Sequence, residues 1–209
     1  IWLLGEHMKV LIACEFSGTV REAFAAKGHD AWSCDIEPTD TPGNHYQEDV
    51  KDVLKEGWDM MIAHPPCTYL TVTGNKWFKP EYKDRFPTRQ QDREDAIKFF
   101  MMLAEAPIDK IVIENPIGIM STTYKKPNQI IHPWQFGHEA SKSTCLWING
   151  LPNLEPTNIV GKGEFVTYKS GKRMTKWYAD AASKPPKERA KIRNTTFQGI
   201  ASAMANQWG

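Results

Sequence analysis

Cys67 stands in "HPPCTYL" (64–70), directly behind two prolines and after the apolar run "WDMMIA". Glu114 closes another apolar run, "KIVIEN" (110–115), and Pro116 follows it. Prolines lock φ and donate no backbone hydrogen bond, which suits presentation of one nucleophilic side chain at a set angle. A carboxyl at the end of an apolar strand is partly desolvated, which would raise its pKa and let it hold a proton at neutral pH. Taken singly, Cys67 reads as a buried structural thiol and Glu114 as a loop-bracing acid. On neighbouring strand ends, a nucleophile and a proton donor form a signature of covalent catalysis. Two weaker features accompany them. Gly18 in "CEFSG" (14–18) lets backbone approach a ligand at a helix start. Asp35 in "CDIEP" is placed to accept from ribose hydroxyls. A glycine turn with an acid about twenty residues on fits many nucleotide-binding folds, nicotinamide enzymes included.

The elements that must position these groups alternate. "KVLIA" (9–13) is a wholly apolar run suited to a strand buried on both faces. A helix follows, with Ser17 as its cap, Val20, Phe24 and Ala25 at helical spacing, and Gly28 as its stop. Strands are expected at 30–36, 58–64 and 110–115, a short helix at "VKDVLKEG", and a strongly amphipathic helix at 90–106. This alternation predicts an α/β fold, a mostly parallel sheet with right-handed crossovers and helices on both faces. Ligands in such sheets bind beyond the carboxyl ends of the strands, where all four features fall. Further on, "TCLWI" (144–148) reads as a strand and 164–178 as a hairpin around Ser170-Gly171. Residues 184–192 and 195–208 read as helices, completing a small C-terminal addition.

With 209 residues, 41% of them hydrophobic, the chain suits one large domain, here 8–209; residues 1–7 read as an extension. Its net charge of +1 neither demands nor excludes a polyanionic partner. No apolar run reaches the length of a membrane span. The four cysteines show no CxxC spacing, so no metal cluster is expected, and Cys14, Cys34 and Cys145 read as buried free thiols of a reducing cytoplasm. Residues 161–193 carry ten Lys/Arg against three acids, interleaved with Trp177 and Tyr178. Each lysine alone reads as a solvated charge; the concentration reads as a basic, substrate-facing insertion for phosphates.

The ordered series "FSG", "DIE", "DV", "PPC" and "ENP" resembles the DNA cytosine-C5 methyltransferase family, most of all its short phage-type members without a large target-recognition domain. The resemblance covers about 9–118 and resumes more weakly at 136–150 and in the last helix. It implies a Rossmann-like fold that uses S-adenosylmethionine, with DNA as partner and a monomer in a bacterial or phage-infected cell. It implies Cys67 as nucleophile, Glu114 as its acid partner, and Lys142 near the position of a family arginine that steadies the cytosine carbonyl. The cofactor loop corresponds to Phe16, Ser17 and Gly18. Asp35 corresponds to the ribose contact, with Ile36 and Glu37 beside it, and Asp49 to the adenine-amine contact, with Val50 next to it. Pro65 and Ser202 complete the implied cofactor set. Pro66, Asn115, Pro116 and Thr144 are implied on the substrate side, with Arg85 and Arg89 in a mobile lid at 71–93.

The chain departs from the family pattern in three places. Val20 replaces the second glycine of the cofactor loop, Lys142 stands where arginine is usual, and no stretch of roughly a hundred residues is left for target recognition. Alternatives therefore stay open. These are the same chemistry on RNA or a free cytosine nucleotide, a carboxylated S-adenosylmethionine as cofactor, a non-catalytic nucleic-acid-binding relative, and a nicotinamide oxidoreductase.

Overall fold

The computed structural model describes residues 6–209. Most of the extension expected at 1–7 lies outside the described residues. His7 is described, with its Nδ1 2.7 Å from the Gly28 carbonyl oxygen.

Seven strands form one sheet: β1 (Lys9–Ala13), β2 (Asp30–Asp35), β3 (His45–Gln47), β4 (Met60–Ala63), β5 (Lys110–Pro116), β6 (Gln129–Ile131) and β7 (Thr144–Asn149). Their spatial order is β3-β2-β1-β4-β5-β7-β6. The first five run parallel and follow a doubly wound order, while β7 lies antiparallel between β5 and β6. The order reverses between β1 and β4, and doubly wound sheets bind ligands beyond the carboxyl ends at such a switch point.

The central strands are apolar throughout because both faces are covered. Val10 and Ile12 of β1, Ile62 of β4 and Val112 of β5 point to one side. There they pack on Val20 and Phe24 of α1 (Thr19–Ala25) and on Ile200 and Met204 of α7 (Gln198–Trp208). Leu11, Ala13, Met61 and Ile113 alternate to the other side, against Val53 of α2 (Val50–Val53) and Phe100 and Leu103 of α3 (Arg89–Ala104).

Several expectations change. The N-cap of α1 is Gly18, not Ser17, for a reason given below. The helix expected at 90–106 is present, but its only fully buried residues are Phe100 and Leu103, late in its length. Its first half instead reaches over the segment after Cys67, where Arg93 Nε donates to the Tyr69 carbonyl at 2.8 Å. The hairpin predicted at 164–178 is shorter. Strands β8 (Phe165–Thr167) and β9 (Arg173–Thr175) pair, and Lys176 already begins α5 (Lys176–Ala182). Helix α6 (Pro186–Asn194) and the single-turn α4 (Met120–Thr123) complete the set.

Two thiols make a stability prediction. Burial pushes Cys34 up to about 12 and Cys145 up to about 11, with nearby carboxylates adding to each. Both folded values lie above the ordinary thiol value of 9.0, so the folded protein keeps protons that the unfolded chain releases. Their contribution is complete below about pH 9 and is lost as pH rises through 11 to 12. Thermal melts from pH 8 upward should show Tm falling across that window, less steeply in Cys34→Ala.

Candidate active site

The parallel register assembles the site. Ala63 of β4 pairs with Ile113 of β5, so His64, just past the end of β4, comes beside Glu114, which continues in β5 against Leu146 of β7. His64 Nδ1 lies 3.0 Å from Glu114 Oε2, with the side chains 8% and 16% exposed. Beyond His64 the chain turns sharply, and the Cys67 carbonyl accepts from both Leu70 N and Thr71 N at 3.0 Å. The turn is tied to β5 by Asn115 Nδ2, which donates to the Pro65 carbonyl at 2.8 Å. Asn115, expected at the substrate, is thus buried with its amide spent on Pro65, while Pro66 is exposed and Pro116 partly so. After Gly118 the chain returns beneath this turn, where a Cβ would overlap the Leu70 carbonyl.

Cys67 is partly exposed, unlike the buried Cys34 and Cys145. Burial, then the charge of Glu114, pushes its thiol up, and Lys142 pulls the other way. Glu114 corrects an expectation. Burial does pull its carboxyl upward, but the His64 hydrogen bond and the charge of Lys142 outweigh it, and the net shift is downward. The resting pair is a thiol beside a carboxylate, not a thiolate beside an acid. Lys142 acts here through its field, since its Nζ donates to the Arg193 carbonyl at 2.9 Å. Thr144 is buried at the start of β7, its Oγ1 3.4 Å from the Lys142 carbonyl.

The second half of the site lies across the switch point. Glu15, buried, accepts from Val20 N at 2.7 Å, Arg21 N at 3.2 Å and Ser17 Oγ at 3.3 Å. Its carboxylate therefore fills the amino end of α1, which is why Ser17 is not the cap. Gly18 sits at φ 76°, and a Cβ there would come within 2.6 Å of Arg21 Nη2. Its lack of a side chain serves that internal contact. Cys14 has φ 59°, the one positive φ outside glycine among the described residues. It follows β1, partly exposed and packed against the core, and burial followed by the charge of Asp35 pushes its thiol up. Asp35 Oδ1 accepts from Glu37 N at 2.9 Å, and burial leads its upward shift. Beside it Ile36 is 75% exposed. Asp49 caps α2 by accepting from Lys51 N at 3.0 Å, whereas Val50 belongs to the core. Ser202 is partly exposed on α7 and within 3.3 Å of Gln198 Nε2. Lys191 of α6 joins this side, 2.7 Å from Asp40 Oδ1 and 5.5 Å from the Phe16 ring.

The segment expected as a lid is folded into 3-10 turns at Val72–Phe78 and Pro80–Tyr82. Trp77 packs edge-on against Tyr82 and Phe86. Arg89, expected at the substrate, is enclosed by the rings of Tyr69, Phe78 and Phe86 and holds the segment together. Arg85 remains exposed, 5.7 Å from the Trp77 ring. Among the described residues no group of His, Cys, Asp and Glu is placed to hold a metal ion, and no helix is long and apolar enough to cross a membrane. A scan against protein-family models finds no match, and a search of curated proteins finds none.

His64, Glu15 and Arg21 were not singled out from sequence, and Cys14 was read only as a buried thiol. Only His64 carried a usable signal: aligning the ends of "MMIAH" and "IVIEN" as parallel neighbours puts it beside Glu114.

Proposed function

We propose that the chain transfers a methyl group from S-adenosylmethionine to C5 of cytosine in DNA through a covalent bond between Cys67 and C6. The observation that carries this reading is that the β4–β5 register and the 3.0 Å His64–Glu114 contact bring the turn bearing Cys67 beside Glu114, across the switch point from Asp35 and Asp49. The residues at and just beyond the ends of β2 and β3 suit the cofactor's parts. Asp35 and Asp49 suit ribose hydroxyls and an adenine amine, and the exposed Ile36 offers an apolar face for the ring. A dinucleotide fits poorly, because its pyrophosphate needs the amino end of α1, which Glu15 already fills. That disfavours the nicotinamide alternative.

The cofactor, when bound, supplies an electrophilic methyl on a sulfonium. The remaining steps fall to this chain. Cys67 Sγ bonds to C6, and the electron pair of the C5–C6 double bond moves toward C5. Glu114 is a carboxylate at rest and its charge is felt at the sulfur, so it takes the thiol proton and delivers it to N3. The addition then needs no acid from solvent. After transfer, water takes the C5 proton as the Cys67 thiolate leaves C6, and the N3 proton returns through Glu114 to the sulfur, which restores the ring and the resting thiol. The base cannot be reached inside a duplex, so it enters unpaired. Arg85 and Trp77 on one side and the β8–β9 hairpin on the other supply cations and rings for the nucleic acid. The hairpin exposes Phe165 and Tyr168, with Arg173 4.3 Å from the Phe165 ring.

The test uses S-adenosylmethionine with 5-fluorocytosine placed in DNA, in RNA or in a free nucleotide. Fluorine at C5 blocks the final elimination, so a stable adduct should form with DNA. An adduct only with RNA or nucleotide reassigns the substrate, and none with any of the three overturns the reading. The mass of the modified base distinguishes methyl from a carboxylated group.

A further inference from the structure

We propose that His64 is the positioning residue for Glu114: its Nδ1–H holds one carboxylate oxygen and leaves the other to meet the base. This rests on the reading above and extends it to a residue that reading does not use.

The geometry is built in. The β4–β5 register forces residues 64 and 114 together on one face, and the 3.0 Å contact follows from it. Both side chains are largely buried, so the hydrogen bond is charge-assisted and little competed by water. The remaining ring nitrogen, Nε2, is buried and has no partner. Glu114 Oε2 is the hydrogen-bond partner of the ring, so the Nδ1–H is the donor that fixes the carboxylate. It orients one carboxylate oxygen and leaves the other to carry the proton from sulfur to N3. The other groups whose charge is coupled to Glu114 come from three places: Cys67 after β4, Cys145 on β7 and Lys142 ahead of β7. Of these only Lys142 is a cation, and its ammonium is spent on the Arg193 carbonyl. Directional control of the carboxylate falls to His64.

The test compares the wild type with His64→Phe, which keeps a ring but no donor, and His64→Asn, whose amide nitrogen can stand near the Nδ1 position. Two readouts are followed. One is titration of the Glu114 side-chain carbon by 13C NMR, assigned with Glu114→Gln. The other is the pH profile of adduct formation on the fluorinated DNA. In His64→Phe the Glu114 titration should move upward, because burial is no longer offset by the hydrogen bond. Adduct formation at pH 7 should slow by about 10- to 100-fold, the usual worth of a hydrogen bond to a charged group. The acid limb of its profile should move to higher pH. His64→Asn should recover most of both. An unchanged titration in His64→Phe, or His64→Asn behaving like it, overturns the proposal. If the wild type forms no adduct while His64→Phe still shifts Glu114, the pairing stands and the cytosine chemistry falls. Should His64→Phe lose its cooperative melt, His64→Leu takes its place.

Discussion

Replacing Cys67 with alanine should abolish the adduct with 5-fluorocytosine DNA and lower product formation by at least about 10⁴-fold, as expected when a covalent nucleophile is removed. The fold should survive. The turn around residue 67 is held by backbone, through the Cys67 carbonyl and the Asn115 bond to the Pro65 carbonyl, and the thiol itself is partly exposed. Tm should therefore stay close to the wild type, and DNA should still bind. The pH profile of the wild type carries a second expectation. Burial and Glu114 keep the sulfur protonated in the free protein. If thiolate had to form in solution, the rate would climb about tenfold per pH unit through neutrality. Internal passage of the proton through the Glu114 carboxylate predicts instead a flat profile from about pH 6 to 9, with a fall only where Glu114 itself protonates. That fall belongs on the acid side of the ordinary carboxylate range, since the Glu114 value is depressed by His64 and Lys142. A Cys67→Ala protein that still cross-links would move the chemistry to another group, with Cys14 the first to examine.

Legibility followed burial. "KVLIA", "MMIA" and "KIVIEN" announce themselves because strands covered on both faces must be apolar throughout, and their order with intervening helices fixes a doubly wound sheet. Strands β3 and β6, three residues each, were missed. β3 reads "HYQ"; Tyr46 stacks on Trp32 and His45 lies 2.8 Å from Ser33 Oγ, contacts that three residues offer no period to reveal. The ends of 90–106 and 164–178 were misjudged because period alone does not reveal that α3 spends its first half over another segment, or that a helix opens at Lys176. At the site, Cys67 and Glu114 were visible as unusual residues at strand ends. Their charge states were not, since the Glu114 proton depends on a histidine fifty residues away whose place is set by register. The same holds for the amino end of α1. A serine at a helix start reads as its cap, yet Ser17 Oγ takes only Thr19 N at 3.3 Å, while Glu15 two residues earlier takes Val20 N and Arg21 N.

Arg21 is the clearest case of a residue whose type misleads. A basic side chain on a short helix reads as solvated, but Arg21 is fully buried. Its guanidinium donates to Glu22 Oε1 at 2.9 Å, Ser33 Oγ at 2.9 Å, Thr39 Oγ1 at 3.2 Å, and the Thr41 and Pro42 carbonyls at 2.6 and 3.3 Å. It thereby stitches α1 and β2 to the loop that leaves Asp35 and Ile36. Glu22 is half-exposed, so the loss of Arg21 strands no buried charge. The cost lies in the unpaired hydroxyl and carbonyl acceptors and in the lost volume. Arg21→Met should destabilise by about 3 kcal/mol or more, at roughly 1 kcal/mol for each bond lost. For a domain of this size that corresponds to a Tm lower by about 6–12 °C. Arg21→Lys should fall between, because an ammonium cannot reproduce the planar fork. Function should suffer beyond stability. With the loop after β2 released, Asp35 and Ile36 lose their fixed placement, and cofactor affinity measured below the melting range should drop by roughly 10- to 100-fold, on the scale of a 1 Å misplacement. A variant that melts normally but loses the cofactor would separate the two roles. One that keeps both would show that the loop is held by other contacts, such as Thr41 Oγ1 on the Ser17 carbonyl at 2.8 Å.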